Sequence, residues 1–255
     1  MSIAPDVQRD LIFDVGLNDG GDTRYYLHQG YRVLAIEADP QLAAAARLQF
    51  APEIDAGRLV ILNLGIAEQS GKATFWICDE KSFWNSFDRK VASRNGLRHH
   101  AIEIETRRFG EILSEFGVPY YLKVDIEGND HLCIQELQTG SVPPFISVEA
   151  ECVTDGEFFT ESGTAETLDL LRDRGYRKFK LIYQGDFSAV DTAVAVRLWQ
   201  RVRKPKHRYP FAMGNTGPWG NDTPGRWLTY AQARKQLGKI AASRIDSWHD
   251  WHARV

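Results

Sequence analysis

Cysteine is scarce in this chain of 255 residues, and the three that occur, Cys78, Cys133 and Cys152, lie far apart with no CxxC pair among them. That excludes a disulfide framework and a thiolate zinc centre. Long hydrophobic runs are missing as well: no stretch approaches the roughly eighteen residues of a membrane-crossing helix. The opening "MSIAPDVQRDLIFDV" has no basic segment ahead of a long apolar core, so the sequence reads as unexported, with the cytoplasm as the expected location. An excess of positive charge is absent too. Lys and Arg number 31 against 34 Asp and Glu, a net charge of -3, so no global field gathers nucleic acid or anionic lipid. No repeat or linker interrupts the chain, and one domain over residues 1–255 is the expected organisation.

Present instead is a composition 43% hydrophobic and 25% charged, enough for a substantial core. Apolar runs bounded by turn residues alternate with helical patterns, which predicts β-α units around a mostly parallel sheet. Strands are expected at "LIFDVG", "RVLAIEA" and "RLVILNLGI". The first helix ends at Gly30, and the second opens with Asp39 as cap and Pro40 at its first position. "ATFWIC" and "AIEIET" read as an inserted antiparallel pair, with residues 79–100 as a loop or lid between them. Parallel strands resume at "YYLKVDIEG" and "FISVEAE". Residues 205–255 read as a C-terminal helical extension, entered by the capping box Thr229 to Gln232.

The stretch "FDVGLNDGGDTRYYL" empties an apolar strand into a glycine turn and then a helix. In doubly wound sheets ligands sit beyond the strand ends where the winding reverses, and Gly16 and Gly20 allow positive φ and close backbone approach there. Glu37 follows about twenty positions on, at the end of the second strand, where a carboxylate accepts hydrogen bonds from ribose hydroxyls. An adenosine-type ligand is therefore expected. Its candidate contacts are Asp14, Gly16, Asn18, Gly20, Thr23, Glu37 and Asp39. Asp14, Asp19 and Asp22 around the turn are expected to repel a pyrophosphate and to suit the cationic donor S-adenosylmethionine.

A second constellation lies further on. Period-two alternation puts Asp125 and Glu127 on one face at the mouth of a later strand, and Glu149 and Glu151 similarly on a neighbouring one. Converging carboxylates raise a pKa or recruit a hard cation such as Mg²⁺, for which Asp125 and Glu149 are the candidate ligands. Asp125, Glu127 and His131 are the candidate catalytic groups, able to deprotonate or polarise a hydroxyl. In the 79–100 segment, Phe83, Trp84 and Phe87 stand beside Arg89, Lys90, Arg94 and Arg98, a composition suited to a lid over an acceptor. Trp84, Glu149 and Glu151 are the candidate acceptor contacts. His249 and His252, three apart as on one helical face, lack a third ligand nearby and read as packing. The basic stretch from Arg197 to Arg208 reads as solvated charge.

"FDVGLNDGGDTRYYL", "VLAIEADP", "NLGIAEQSGKATFW" and "YLKVDIEGND", in this order, resemble the FkbM family of S-adenosylmethionine-dependent methyltransferases, and "GNTGPWGNDTPGRWL" with "WHDWHA" extends the likeness over nearly the whole chain. The resemblance implies a Rossmann-like class I methyltransferase fold of the α/β class, with seven principal strands, the last antiparallel. It also implies a donor lying across Gly16 to Gly20 and Asp125, with Asn63 and Ala67 of the "GIAE" segment near the adenine. The implied acceptor is the hydroxyl of a sugar, glycan or other natural product. Two other classes stay open: an NAD(P)-dependent oxidoreductase, and a non-catalytic nucleotide- or RNA-binding module, which would lack the acidic cluster at the strand mouths; an RNA 2′-O-methyltransferase would need a Lys-Asp-Lys-Glu set, in which only Lys123 and Asp125 have an obvious place. Oligomeric state is not set by the sequence, and a homodimer is one option.

Overall fold

The computed structural model describes residues 6–150, 161–185, 187–189, 209–211, 215–241 and 248–255. The first half is β1 (Val7–Val15), α1 (Gly21–His28), β2 (Arg32–Glu37), α2 (Pro40–Gln49), α3 (Ala51–Asp55) and β3 (Leu59–Asn63). Helix α2 starts where the sequence says it should, because Asp39 accepts the Gln41 N–H at 2.8 Å and Pro40 needs no donor there. Next come β4 (Gly65–Ile66), β5 (Gly71–Cys78), α4 (Arg89–Ala92) and β6 (His99–Arg107), with β5 and β6 antiparallel and β4 beside β6 in a small separate sheet. The expected inserted pair is therefore present.

The remaining elements are α5 (Phe109–Phe116), β7 (Val118–Val124), α6 (Asp130–Gln135), β8 (Phe145–Glu149), α7 (Glu161–Asp173), β9 (Lys178–Tyr183), β10 (Ser188–Ala189), β11 (Leu228–Thr229), α8 (Tyr230–Ala241) and β12 (His249–Arg254). The main sheet runs β10-β9-β12-β8-β7-β1-β2-β3, with β11 against β9, nine strands in all. Without the two-residue β10 and β11, seven remain, and of these only β12 is antiparallel to its neighbours. The winding reverses between β1 and β7. That reversal opens a crevice at the carboxyl ends of β1, β2, β7 and β8.

Apolar side chains fill both faces of the sheet. Phe13, Leu122, Ile146 and Trp251 belong to one core, and Ile12, Tyr26 and Tyr121 to the other. The second face is unusually polar, since Asp14, Lys123, Ser147, Lys180, Asp250 and His252 are all buried. Trp219 stacks on Tyr121 there at 4.4 Å and 7°.

The chain end differs from its expected helical extension. Helix α8 stands behind its capping box, with the Thr229 N–H donating to Gln232 at 2.9 Å, but the tail after it is strand β12 in the middle of the sheet. Buried polar residues in "HDWHAR" hide its strand character from a hydropathy reading. His249 and His252 consequently point to opposite faces of a strand rather than along one helical face. Burial, and then Lys180, lowers the His252 pKa to about 3. Glu151, Cys152 and the stretch from Arg197 to Arg208 lie outside the described residues.

Trp251 is fully buried and donates its indole N–H to Thr164 O at 3.0 Å. Trp251→Ala is predicted to cost about 3–5 kcal/mol of stability in denaturant unfolding. A cost below about 1 kcal/mol would mean the tail strand contributes little to the sheet.

Candidate functional site at the carboxyl ends of the strands

The glycine turn is shaped by contacts that only glycine allows. Gly16 has φ +92, and a Cβ there would lie 1.8 Å from the Asp125 carbonyl oxygen. The Gly16 and Leu17 N–H groups both donate to Ile36 O, at 3.0 and 3.1 Å, tying the turn to β2. Asn18 takes φ 48, and Gly20, at φ +77, caps α1. A side chain at Gly20 would run into the Phe50 ring at 2.6 Å.

Only one of the three expected carboxylates remains at the turn, Asp19, which accepts the Gly21 N–H at 2.9 Å. Asp14 is fully buried beneath it, 3.1 Å from Lys123 Nζ, and accepts the Thr23 hydroxyl at 2.6 Å. Asp22 accepts the N–H groups of Thr216 and Gly217 at 2.9 and 3.3 Å. Burial pushes its carboxyl up to about 7. Asp14 and Thr23 thus brace the frame instead of lining ligand space, and Lys123 neutralises Asp14. Charge at the turn no longer discriminates against a diphosphate. Lys123 also donates to Gly16 O at 2.6 Å and lies 3.7 Å from Asp125. Burial opposes its charge, but Asp14, Asp125 and Asp22 outweigh that and hold its pKa above the ordinary lysine value.

Glu37 closes β2 with 7% of its surface exposed. Its carboxylate accepts the Asn18 and Asp39 N–H groups at 2.8 Å each, and burial raises its pKa to about 7. Each oxygen keeps acceptor capacity for a ribose hydroxyl. Asn63 Nδ2 donates to Glu37 O at 2.9 Å and Ala38 O at 3.2 Å, so its amide clips β3 to the end of β2. Ala67 directly follows β4. It lines a cleft of about 430 Å³ with Gln69, Lys72, Phe87, Asn129 and His131, among other residues, and neither the glycine turn nor Glu37 lines that cleft. His131 has its Nδ1 3.2 Å from Gly128 O.

Asp125, Glu127 and Glu149 do converge, each offering an oxygen within 4.8 Å of the others. The loop that brings them together needs Glu127 at φ 54, and Asp130 holds it by accepting the Ile126 and Gly128 N–H groups at 3.1 and 3.0 Å. Burial, then the Asp125 charge, pushes Glu127 up to about 8 and Asp130 to about 6. Burial and then Glu127 raise Glu149 well above the carboxylate range. The donor set suits a hard cation in kind, but the Arg94 guanidinium already lies 3.3 Å from Glu127. This arginine supplies a positive charge inside the cluster.

Segment 79–98 supplies residues the sequence reading did not single out. Ser82 donates to Asn18 Oδ1 at 2.9 Å, Asn85 to Asp39 at 3.0 Å and Ser86 to Glu127 O at 2.7 Å. Trp84 lies in the same segment with Lys81 Nζ 4.1 Å from its ring centroid. Lys123 was partly visible beforehand: a lysine inside the apolar "YYLKV" needs a buried partner, and "FDV" offers one.

The sequence pattern described as the Methyltransferase FkbM domain matches residues 14–178. No curated protein matches the chain significantly. Among solved structures, a Galdieria sulphuraria protein provisionally named a sarcosine dimethylglycine methyltransferase is 12% identical, TM-score 0.41, over 96% of this chain and 78% of its own. The StiE O-MT segment is 9% identical, TM-score 0.41, over 96% and 67%. A SAM-dependent methyltransferase from Geobacter sulfurreducens, in complex with S-adenosyl-L-homocysteine, is 13% identical, TM-score 0.36, over 96% and 83%. At these values the structural likenesses carry nothing about the chemistry of this chain.

Gly16→Ala is predicted to destabilise by about 2 kcal/mol or more, because the methyl meets backbone and φ is unsuitable. A loss below about 0.5 kcal/mol in urea unfolding would contradict the packing of the turn. pH offers a second check. Glu37 and Asp22, near 7, and Glu127, near 8, lie above their ordinary values of 4.5 and 3.8, so above pH 4.5 the folded chain binds more protons at these groups than the unfolded one. Their stabilisation is complete below the unfolded values and is lost as pH rises through the folded ones. His252 has the opposite sign, but its contribution changes only below about 6.5. The thermal midpoint is therefore predicted to fall between pH 6.5 and 8; a flat or rising midpoint would contradict these shifts.

Proposed function

Because the chain belongs to the FkbM methyltransferase family, we propose that it is an S-adenosylmethionine-dependent O-methyltransferase acting on a hydroxyl of a small acceptor, a sugar, glycan or other natural product. The observation that carries this is the meeting of three features at one crevice: a glycine turn, a buried carboxylate at the end of β2, and a carboxylate cluster at the ends of β7 and β8. The family supports methyl transfer over hydride transfer. A non-catalytic binding module is disfavoured because the acidic cluster it would lack stands at the ends of β7 and β8.

The residues present fit the donor. Glu37 would take its ribose hydroxyls, the backbone from Gly16 to Gly20 and Asn18 would take its amino-acid end, and Asp39 and Asn63 border the adenine side. When bound, the donor supplies an electrophilic methyl group on sulfur. An acceptor hydroxyl held at the cluster would form the new C–O bond as the S–CH₃ bond breaks, leaving S-adenosylhomocysteine, and its proton would pass to a carboxylate. Glu127 is the proposed proton acceptor, supported by its cluster position and raised pKa. Asp125, the member of this cluster that lies 3.7 Å from Lys123, would orient the reacting groups. Glu149 and Trp84 are the proposed acceptor contacts. A cytoplasmic location agrees with the free cysteines Cys78 and Cys133 and is part of the same proposal. Among the described residues no helix is long and apolar enough to cross a membrane.

Calorimetric titration tests the donor. S-adenosylmethionine is predicted to bind while NADH does not, and Glu37→Ala is predicted to weaken the binding at least about tenfold, roughly 1.4 kcal/mol. Binding of NADH alone, or an unchanged affinity in a folded Glu37→Ala variant, would overturn the assignment.

A further inference from the structure

The segment 79–98 is fastened to residues at the ends of β1, β2 and β7. Ser82 reaches Asn18, Asn85 reaches Asp39, and Ser86 and Arg94 both reach Glu127, through its carbonyl at 2.7 Å and its carboxylate at 3.3 Å. Asn85 is itself buried and accepts the Cys78 N–H at 2.9 Å, so the strap is pinned from below as well. A loop that was merely solvated would not concentrate its side-chain bonds on the residues that border the crevice.

Arg94 differs from the other strap anchors because it carries charge. Asp125 faces Glu127 from the end of β7, Asp130 from α6 and Glu149 from the end of β8, all of one sign. Arg94 faces it from the strap with the opposite sign, and its pair with Glu127 is mostly buried, with side-chain exposures of 24% and 17%. The guanidinium also lies 6.0 Å from the Trp84 ring centroid. Partial burial makes such a pair stronger than a surface one. A guanidinium stays charged at any working pH, so its influence is constant while the carboxylates titrate.

We propose that Arg94 is a positioning residue for methyl transfer, which clamps the strap over the donor crevice and fixes the direction of the Glu127 carboxylate. The proposal rests on the donor site described above. Strap closure and preparation of the proton acceptor are then one event, because the same ion pair does both.

The test uses the full-length protein with S-adenosylhomocysteine as probe and three chains: wild type, Arg94→Ala and Arg94→Lys. Stopped-flow fluorescence reads the dissociation rate of the probe, and scanning calorimetry reads the thermal midpoint. In Arg94→Ala the probe is predicted to leave at least about tenfold faster, and Arg94→Lys is predicted to recover part of that rate. A purely structural arginine would lower the thermal midpoint without changing the dissociation rate. If wild type binds the probe and Arg94→Ala releases it at the wild-type rate, the inference is overturned and the donor site stands. If wild type does not bind the probe at all, the donor reading falls and the inference falls with it.

Discussion

The architecture of the crevice depends on one buried ion pair, Lys123 with Asp14, at the point where the winding of the sheet reverses. Its ammonium lies 3.1 Å from Asp14, 2.6 Å from Gly16 O and 3.7 Å from Asp125, so a single group joins β1, the glycine turn and the end of β7. Removing one member of such a pair leaves an uncompensated buried charge, which costs several kcal/mol, whereas the intact pair is itself only modestly stabilising. Its value is positional. Because Lys123 pairs with Asp14 from below, the turn above does not feel the uncompensated field of that buried anion.

The second constraint is the crowding of carboxylates where β7 and β8 end. Asp125, Glu127, Asp130 and Glu149 share a space that Arg94 enters as their cation, so burial and mutual repulsion keep part of the cluster protonated. Such an arrangement is costly to the fold and useful to chemistry, because a carboxyl whose pKa lies near the working pH accepts a proton readily. Asp130 shows the division of labour. Its carboxylate holds the loop that bends Glu127 into place.

Local signals in the sequence were legible. Asp39 and Pro40 mark a helix start, Thr229 and Gln232 a capping box, and Gly16 to Gly20 a strand-to-helix turn, because each depends on a few neighbouring residues. The direction of buried charge was not. Alternation along β1 leaves open which face Asp14 takes, and Asp22 turns toward Thr216, 194 positions away, a pairing no local pattern encodes. Ala67 and His131, 64 positions apart along the chain, line one cleft for the same reason. β12 escaped notice because it buries His249, Asp250 and His252 on a sheet face that is itself polar. The strap was visible as a lid by composition, but its hold on Asn18, Asp39 and Glu127 is set by tertiary contacts alone.

The crevice between β1 and β7 as the donor site is the claim on which the rest turns, and a crystal structure of the protein with S-adenosylhomocysteine tests it most directly. The ribose is predicted to lie on Glu37, with the amino-acid end over Gly16 to Gly20 and the Lys123–Asp14 pair intact beneath. A ligand lodged instead in the cleft beside Ala67 and His131, with Glu37 untouched, would contradict the account.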